Sequence, residues 1–241
     1  MREAQGGKGQ EVKVAGNPGT SPERCADDAG ARLFSVLGPE ERDRLRSQLV
    51  ERSCRRGQVL FYQGEELSHL VCLRQGFVKL LKTDPSGQEI VIRFLGPGDV
   101  AGFRPLLAGE PSAAAAECVT AASLCLVPRA LFLELAHENR PFSRLLLATL
   151  ARELRESEER WFSRTRESAE QRVVRFLTQL GRREGLPAGS LRVEIPKLEI
   201  ARAADVTPST LSRILQRLAR RGQLEVEPRC LVLRPPLVPG P

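Results

Sequence analysis

No apolar stretch among these 241 residues is long enough to span a bilayer, which excludes a transmembrane helix. The N-terminal run MREAQGGKGQEVKVAGNPGTSPE has no apolar core behind its charges and does not read as a secretory signal. Histidine is scarce: His69 and His137 are the only two, which leaves little general-base capacity. There is no G-x-S-x-G, no H-E-x-x-H and no phosphate-binding loop. The common enzyme signatures are therefore missing, and no catalytic residue is expected. The six cysteines (Cys25, Cys54, Cys72, Cys118, Cys125 and Cys230) contain no C-x-x-C pair. Without a secretory signal they predict reduced thiols in a cytosol rather than a disulfide framework. Neither a metal site nor a cofactor is expected.

What is present begins with charge. The chain carries a net +7, and its location says more than its size. Residues 1–163 hold 22 Lys/Arg against 22 Asp/Glu, whereas residues 164–241 hold 15 against 8. A basic terminal unit behind a neutral one points to a polyanionic partner, most commonly nucleic acid. The length allows two modest units, each with its own core, and 41% hydrophobic residues suits a globular protein.

Residues 1 to about 28 are rich in Gly, Pro and charge and read as a disordered tail. Helical spacing follows from Ala31 to Val50 through Leu33, Phe34, Leu37, Leu45 and Leu49, with Pro39 in a first turn. Short apolar runs then alternate with turn signals. Val59–Phe61 leads to Gly64-Glu65, Leu70–Leu73 to Gln75-Gly76, Phe77–Leu81 to Asp84-Pro85-Ser86-Gly87, and Glu89–Phe94 to Gly96-Pro97-Gly98-Asp99. That punctuation predicts an all-β barrel or sandwich, closed by a strand over Cys118–Val127 and followed by a short helix through His137. From Pro141 to about Arg164 no breaker intervenes. Leu147, Leu150, Leu154, Ser157 and Trp161 recur at spacings of 3 and 4, a narrow seam on a highly charged helix that suits a two-helix dimer contact. A further helix spans Ser168–Glu184 and ends at Gly185-Leu186-Pro187, and Leu191–Ile195 alternates as a strand.

The most informative stretch is PKLEIARAADVTPSTLSRILQRLARRGQLEVE. Pro196–Ala204 reads as a short helix, Asp205-Val206-Thr207 as a tight turn and Pro208–Arg221 as a second helix, with Thr207 as N-cap and Pro208 at the first helical position. Gly222 ends it. Leu224, Val226, Leu231 and Leu233 then alternate around Pro228-Arg229 as wing strands would. A helix-turn-helix inserts its second helix into the major groove N-terminus first. Ser209, Ser212 and Arg213 are the candidates for base edges, Arg213 above all, because a guanidinium can bond guanine O6 and N7 together. Thr207, Thr210, Gln216, Arg217, Arg220 and Arg221 are the candidate phosphate contacts.

From about Leu33 to Leu233 the chain resembles the Crp–Fnr superfamily of bacterial regulators. The stretches that carry the resemblance are VLFYQGEELSHLVCLRQGFVKLL, VIRFLGPGDVAGFRPLLAGEPSAAAAE and VTPSTLSRILQRLARRGQLEV, with the barrel glycines Gly64, Gly76, Gly87 and Gly98. The resemblance implies an α+β fold: an N-terminal antiparallel β-roll of the double-stranded β-helix type, a long dimerisation helix and a C-terminal winged helix-turn-helix. Expected boundaries are a disordered tail at 1–28, a sensor at 29–137, a dimerisation helix at 138–165 and a DNA-binding unit at 166–236. The implied partners are double-stranded DNA carrying a two-fold symmetric operator, a second copy of the chain and, for an activator, RNA polymerase. No membrane is involved, and the effector is open.

Departures from the family pattern are informative. Cyclic-AMP-binding members carry a Gly-Glu pair for the ribose and an Arg-Ser or Arg-Thr pair for the phosphate. Here the sensor-pocket positions read Gly102, Phe103, Ala113 and Ala114, which offer a cyclic phosphate neither charge nor side-chain hydrogen bonds. The oxygen-sensing branch holds an iron–sulfur cluster on N-terminal cysteines plus one in the barrel. Cys125 falls at that barrel position, but the N-terminal part offers only Cys25 where three ligands are needed. Cys72, Cys118 and Cys125 read as small buried hydrophobes. His69 and His137 sit in no haem motif. In the recognition helix the family's Glu-x-x-Ser-Arg becomes Ser209-Thr210-Leu211-Ser212-Arg213, so a guanine contact should persist while the rest of the half-site differs. The competing readings are a redox- or haem-dependent sensor regulator, and a β-roll ligand-binding module without DNA activity.

Overall fold

The computed structural model describes residues 32–183, 191–193, 195–227, 230–234 and 237–239. The expected tail, the Gly185-Leu186-Pro187 helix end and the Pro228-Arg229 wing turn lie outside them. No described helix is long and apolar enough to cross a membrane.

A short 3-10 turn at Arg32–Phe34 precedes helix α1 (Pro39–Gln48). The sequence spacing predicted one helix as far as Val50. Instead Leu33, Phe34 and Leu37 are buried from the 3-10 turn and the link after it, and Val50 opens a strand, β1 (Val50–Cys54). Strands β2 (Val59–Phe61), β3 (His69–Gln75), β4 (Val78–Thr83), β5 (Glu89–Leu95) and β6 (Val100–Ala101) follow. The turn between β4 and β5 is held by Asp84, whose Oδ1 accepts from the backbone N–H of Ser86 and of Gln88, each at 2.9 Å. A short helix α2 (Phe103–Ala108), absent from the sequence expectation, interrupts the strands. The expected single closing strand over Cys118–Val127 is two strands, β7 (Ala115–Cys118) and β8 (Ala122–Pro128), in different sheets. The chain crosses between them at Val119–Ala121 without the help of Gly or Pro, so no breaker marks the change.

Two four-stranded antiparallel sheets result, ordered β1-β8-β3-β6 and β2-β7-β4-β5, and together they make the β-roll. Its core holds Leu45, Leu70, Leu73, Val78, Leu80, Leu95, Leu124 and Val127. Helix α3 (Arg129–Glu138) packs Leu131, Phe132 and Leu135 into that core. Helix α4 (Arg140–Arg166) is started by Asn139, whose Oδ1 accepts from the Phe142 N–H at 2.7 Å. Phe142 is fully buried, stacked on Phe34 at 5.5 Å and edge-on to Phe132 at 6.1 Å, which anchors α4 to the roll. Further along, Arg93 of β5 is paired with Glu153 of α4.

Helix α5 (Ala169–Arg183) opens on a reciprocal cap: Ser168 N–H donates to Gln171 Oε1 at 2.7 Å and Gln171 N–H to Ser168 Oγ at 3.2 Å. Then come β9 (Leu191–Val193), α6 (Lys197–Ala203), α7 (Pro208–Arg220), β10 (Leu224–Val226) and β11 (Leu231–Leu233). The three strands form one small antiparallel sheet, ordered β10-β11-β9.

Strand β4 explains how the roll and the winged unit meet. Val78 and Leu80 point into the roll core, while the alternate positions Phe77 and Lys79 point the other way. All four residues from Val78 to Leu81 are buried, so both faces of this strand are covered. On the outer face Phe77, Phe94 and Val119 join one apolar cluster with Val173, Leu177, Ile200 and Leu218 of the winged unit. Phe94 meets Phe176 edge-on, with centroids 5.1 Å apart. Among these apolar groups sits Lys79, only 3% exposed, with Nζ 3.1 Å from Glu117 Oε1 and 3.2 Å from Glu199 Oε1. Glu199 belongs to α6, so this ion pair joins β4 directly to the first helix of the helix-turn-helix.

Candidate nucleic-acid interface

Helix α7 divides cleanly into two faces. Leu211, Ile214, Leu215 and Leu218 are buried, and at 100° per residue they centre on one side. Ser209, Ser212, Arg213, Gln216, Arg217 and Arg220 are exposed on the opposite side. Thr207 caps the helix, accepting from the Thr210 N–H at 3.2 Å, and its hydroxyl also lies 2.9 Å from that of Thr210 and 3.0 Å from that of Ser209. The helix stops at Gly222, which has φ +71°. Gly222 N–H donates to Ala219 O at 2.9 Å and Gln223 N–H to Leu218 O at 3.1 Å, the paired bonds of a Schellman end that favour glycine at the left-handed position.

The six candidate phosphate contacts fall into distinct groups. Arg213 and Arg220, with Gln216 beside them, make no hydrogen bond or ion pair to another described residue and stand open on the exposed face. Arg217 and Arg221 are both held by Glu170 of α5, at 2.9 and 2.5 Å. Thr207 and Thr210 are engaged with each other. Arg213 therefore presents an unpaired cation near the N-terminal half of α7, on the same face as Ser209 and Ser212.

The turn between α6 and α7 depends on a residue that sequence reasoning missed. Asp205 has φ +52°, the only positive φ among the described non-glycine residues, and Asp is one of the few residues that tolerate it. Arg172 of α5 braces this turn: Nε donates to Ala204 O at 2.9 Å, Nη2 to Asp205 O at 3.0 Å and Nη1 to Glu167 O at 2.9 Å. Bonds from a charged donor are worth more than neutral ones, and three carbonyls converge here. Arg172→Ala is expected to lower stability by about 2 kcal/mol. It should also speed hydrogen exchange at the Val206 amide, which donates to Ala201 O at 3.0 Å. An unchanged urea midpoint together with unchanged exchange would contradict this. No local pattern marks Arg172, because its acceptors lie more than thirty residues away on the HTH turn.

The seam residues of α4 do not all share one environment. Leu147, Leu154 and Trp161 are 65%, 63% and 73% exposed, with Phe162 exposed beside them. Leu150 instead is half-buried and packs against the roll core. Helix α4 thus has one side on the roll and an uncovered apolar stripe on the other.

The sensor positions are closed. Gly102 has φ +90° at the start of α2, and a Cβ there would come within 2.8 Å of Leu67 Cδ1, so glycine is required. Phe103 is 2% exposed and belongs to the roll core. Ala114 is buried and Ala113 exposed, and the loop is pinned by Ser112, whose Oγ donates to Ala114 O at 2.7 Å. An open cleft of about 610 Å³ lies elsewhere, between β5, α4 and α5; neither Phe103 nor Ala114 lines it.

The cysteines depart from the expectation of reduced thiols in one respect. Cys54, Cys72, Cys118 and Cys230 are free and buried, whereas Cys125 is disulfide-bonded. Burial pushes the Cys72 thiol up to about 12. No group of three metal-ligating side chains occurs among the described residues, so they do not fit an iron–sulfur cluster. His69 Nδ1 is 2.8 Å from Ser68 Oγ.

Comparison with known proteins agrees with this geometry. Residues 51–139 match the family described as cyclic nucleotide-binding domain, and residues 171–236 match the Crp-like helix-turn-helix domain. The chain is 34% identical over 205 residues to a cyclic AMP receptor protein of Thermus thermophilus, covering 85% of this chain and 93% of that one. It is 27% identical over 204 residues to an anaerobic regulatory protein of Pasteurella multocida, covering 82% and 74% of the two chains. Among solved structures, FixK2 from Bradyrhizobium japonicum superposes with a TM-score of 0.70 at 28% identity, covering 77% of this chain and 92% of that one.

Proposed function

Because the chain belongs to the Crp–Fnr superfamily of DNA-binding transcription regulators, we propose that it acts as a homodimer whose two α7 helices read a two-fold symmetric operator. The observation that carries this reading is the exposed face of α7, where unpaired Arg213 and Arg220 flank Ser209, Ser212 and Gln216. Arg213 reads a guanine, Ser209 and Ser212 contact neighbouring base edges, and Arg220 and Gln216 meet phosphates. Thr207 and Thr210 lie at the helix N-terminus, where backbone N–H groups favour a phosphate. Arg217 and Arg221 reach phosphates only by leaving Glu170. The second chain covers the stripe of Leu147, Leu154 and Trp161, with Leu150 at its edge. An uncovered stripe on a long charged helix is what supports this contact.

In this reading residues 29–137 form the sensor, 138–165 the dimerisation helix and 166–236 the DNA-binding unit, working in the cytoplasm. The chain performs no catalysis of its own, and RNA polymerase is the further partner if it activates transcription. The effector is not cyclic AMP held in the family's usual manner, since Phe103 fills the core where a ribose partner is needed and Ala113-Ala114 carry no charge. Isothermal titration of the purified protein with cyclic AMP is expected to show no saturable heat, and the nucleotide should leave DNA affinity unchanged. Saturable binding that tightens DNA affinity would contradict that assignment.

The function is tested by selecting bound sequences from random duplex DNA with the purified chain. A palindromic consensus containing a fixed guanine in each half-site supports the reading. Binding without any sequence preference contradicts it.

A further inference from the structure

Two of the buried thiols lie together where the sheets of the roll meet. Cys54 ends β1 and pairs with Ala122 of β8 in one sheet; Cys118 ends β7 and pairs with Val78 of β4 in the other. The loop between them is short and tightly tied: Gly57 N–H donates to Cys118 O at 2.7 Å, and Cys118 N–H to Gln58 O at 2.9 Å. Both side chains belong to the same core cluster, both are free, and their thiols are hydrogen-bonded to each other. Cys72 and Cys230 have no such partner thiol among the described residues.

We propose that Cys54 and Cys118 are a peroxide-reactive dithiol that closes reversibly to a disulfide joining the two sheets of the roll. Cys54 is the attacking sulfur and Cys118 the resolving one. The Cys118 S–H donates to the Cys54 sulfur, and Arg52 adds a nearby positive charge. Together they hold the Cys54 thiol at about 7, whereas Cys118 is raised by that same bond and by burial. In the first step the Cys54 thiolate attacks a hydroperoxide, the O–O bond breaks and an alcohol or water leaves after taking up a proton, giving the Cys54 sulfenic acid. In the second the Cys118 sulfur displaces the hydroxyl from the Cys54 sulfur, and the Cys118 proton departs with it as water. The balance is two thiols and one hydroperoxide to one disulfide, one alcohol and one water. Two electrons pass from the sulfur pair to the O–O bond.

The position gives such closure a route to the rest of the molecule. Glu117, just before Cys118, holds Lys79, and Val119, just after it, packs in the cluster shared with the winged unit. Val119 N–H also donates to Phe77 O at 2.8 Å. Movement of the Cys118 end of β7 is therefore felt at the contact between roll and helix-turn-helix.

The test uses the full-length reduced protein exposed to one equivalent of hydrogen peroxide, quenched with N-ethylmaleimide, digested without reductant and mapped by mass spectrometry. A linked peptide joining Cys54 to Cys118, lost on treatment with dithiothreitol and absent in Cys54→Ala, is the expected result. The rate of its formation in the wild type should rise with pH through a midpoint near 7, an observation independent of how the variant folds. Full alkylation of both cysteines after peroxide, or over-oxidation of Cys54 without a link, would overturn the proposal. A midpoint near the ordinary cysteine value of about 8.5 would do so as well.

Discussion

Lys79→Ala is expected to destabilise the chain by about 3 kcal/mol, the low end of what removing one partner of a buried ion pair costs. Two carboxylates face the Lys79 ammonium from opposite units, Glu117 of the roll and Glu199 of α6. Glu117 is 24% exposed and is partly rescued by water, but Glu199 is 12% exposed and its Oε2 is buried without a hydrogen-bond partner. Removing the ammonium leaves Glu199 with only the neighbouring Arg202, at 3.2 Å, to balance it. For a chain of this length, a loss of that size lowers the melting temperature by roughly 6–12 °C. Glu199→Gln should cost less, because the amide still accepts from Lys79 and Glu117 still neutralises it. Thermal unfolding of both variants checks the order. A fall in Lys79→Ala no larger than that in Glu199→Gln would show that the pair does not hold α6 to the roll.

The second large effect is on DNA. Arg213→Ala should remove a bidentate guanine contact from each half-site, about 1–3 kcal/mol apiece. Across a dimer that is about 2–6 kcal/mol, or at least about thirty-fold in affinity for the selected operator. Affinity for random duplex should hardly change, so the variant loses specificity more than binding. Arg220→Ala has the opposite signature: it weakens all sequences evenly and lowers the salt slope by about one. Arg217→Ala should do less than either, since Arg217 is already paired with Glu170. Fluorescence anisotropy against selected and random duplexes at several salt concentrations separates the three. Equal losses on both duplexes for Arg213→Ala would make it a phosphate contact.

Much of this architecture was legible because period and punctuation agree locally. In α7 the spacing of Leu211, Ile214, Leu215 and Leu218 fits one helical stripe, with Thr207-Pro208 before it and Gly222 after it. What escaped has physical reasons as well. Strand β1 reads VERSC and is exposed until its last residue, because it is an edge strand paired only to β8 and buries no alternating face. The break between β7 and β8 carries no Gly or Pro. Lys79 inside an apolar strand is understandable only when Glu199, 120 residues away, is seen beside it. Leu150 fits the heptad spacing, yet the roll is close enough on that side to cover it. At the interface, the exposed face of α7 followed from helical geometry, but the division of its arginines did not. Whether an arginine is open, like Arg213, or tied, like Arg217, depends on Glu170 in another helix.

The most direct test of the central claim is a hydroxyl-radical footprint of the wild-type protein on its selected operator. Two protected segments centred about one helical turn apart, roughly 34 Å or 10 base pairs, are predicted for two α7 helices entering successive major grooves on one face of the duplex. A single protected segment, or protection that tracks the backbone with no fixed centre, would contradict a dimeric helix-turn-helix reader.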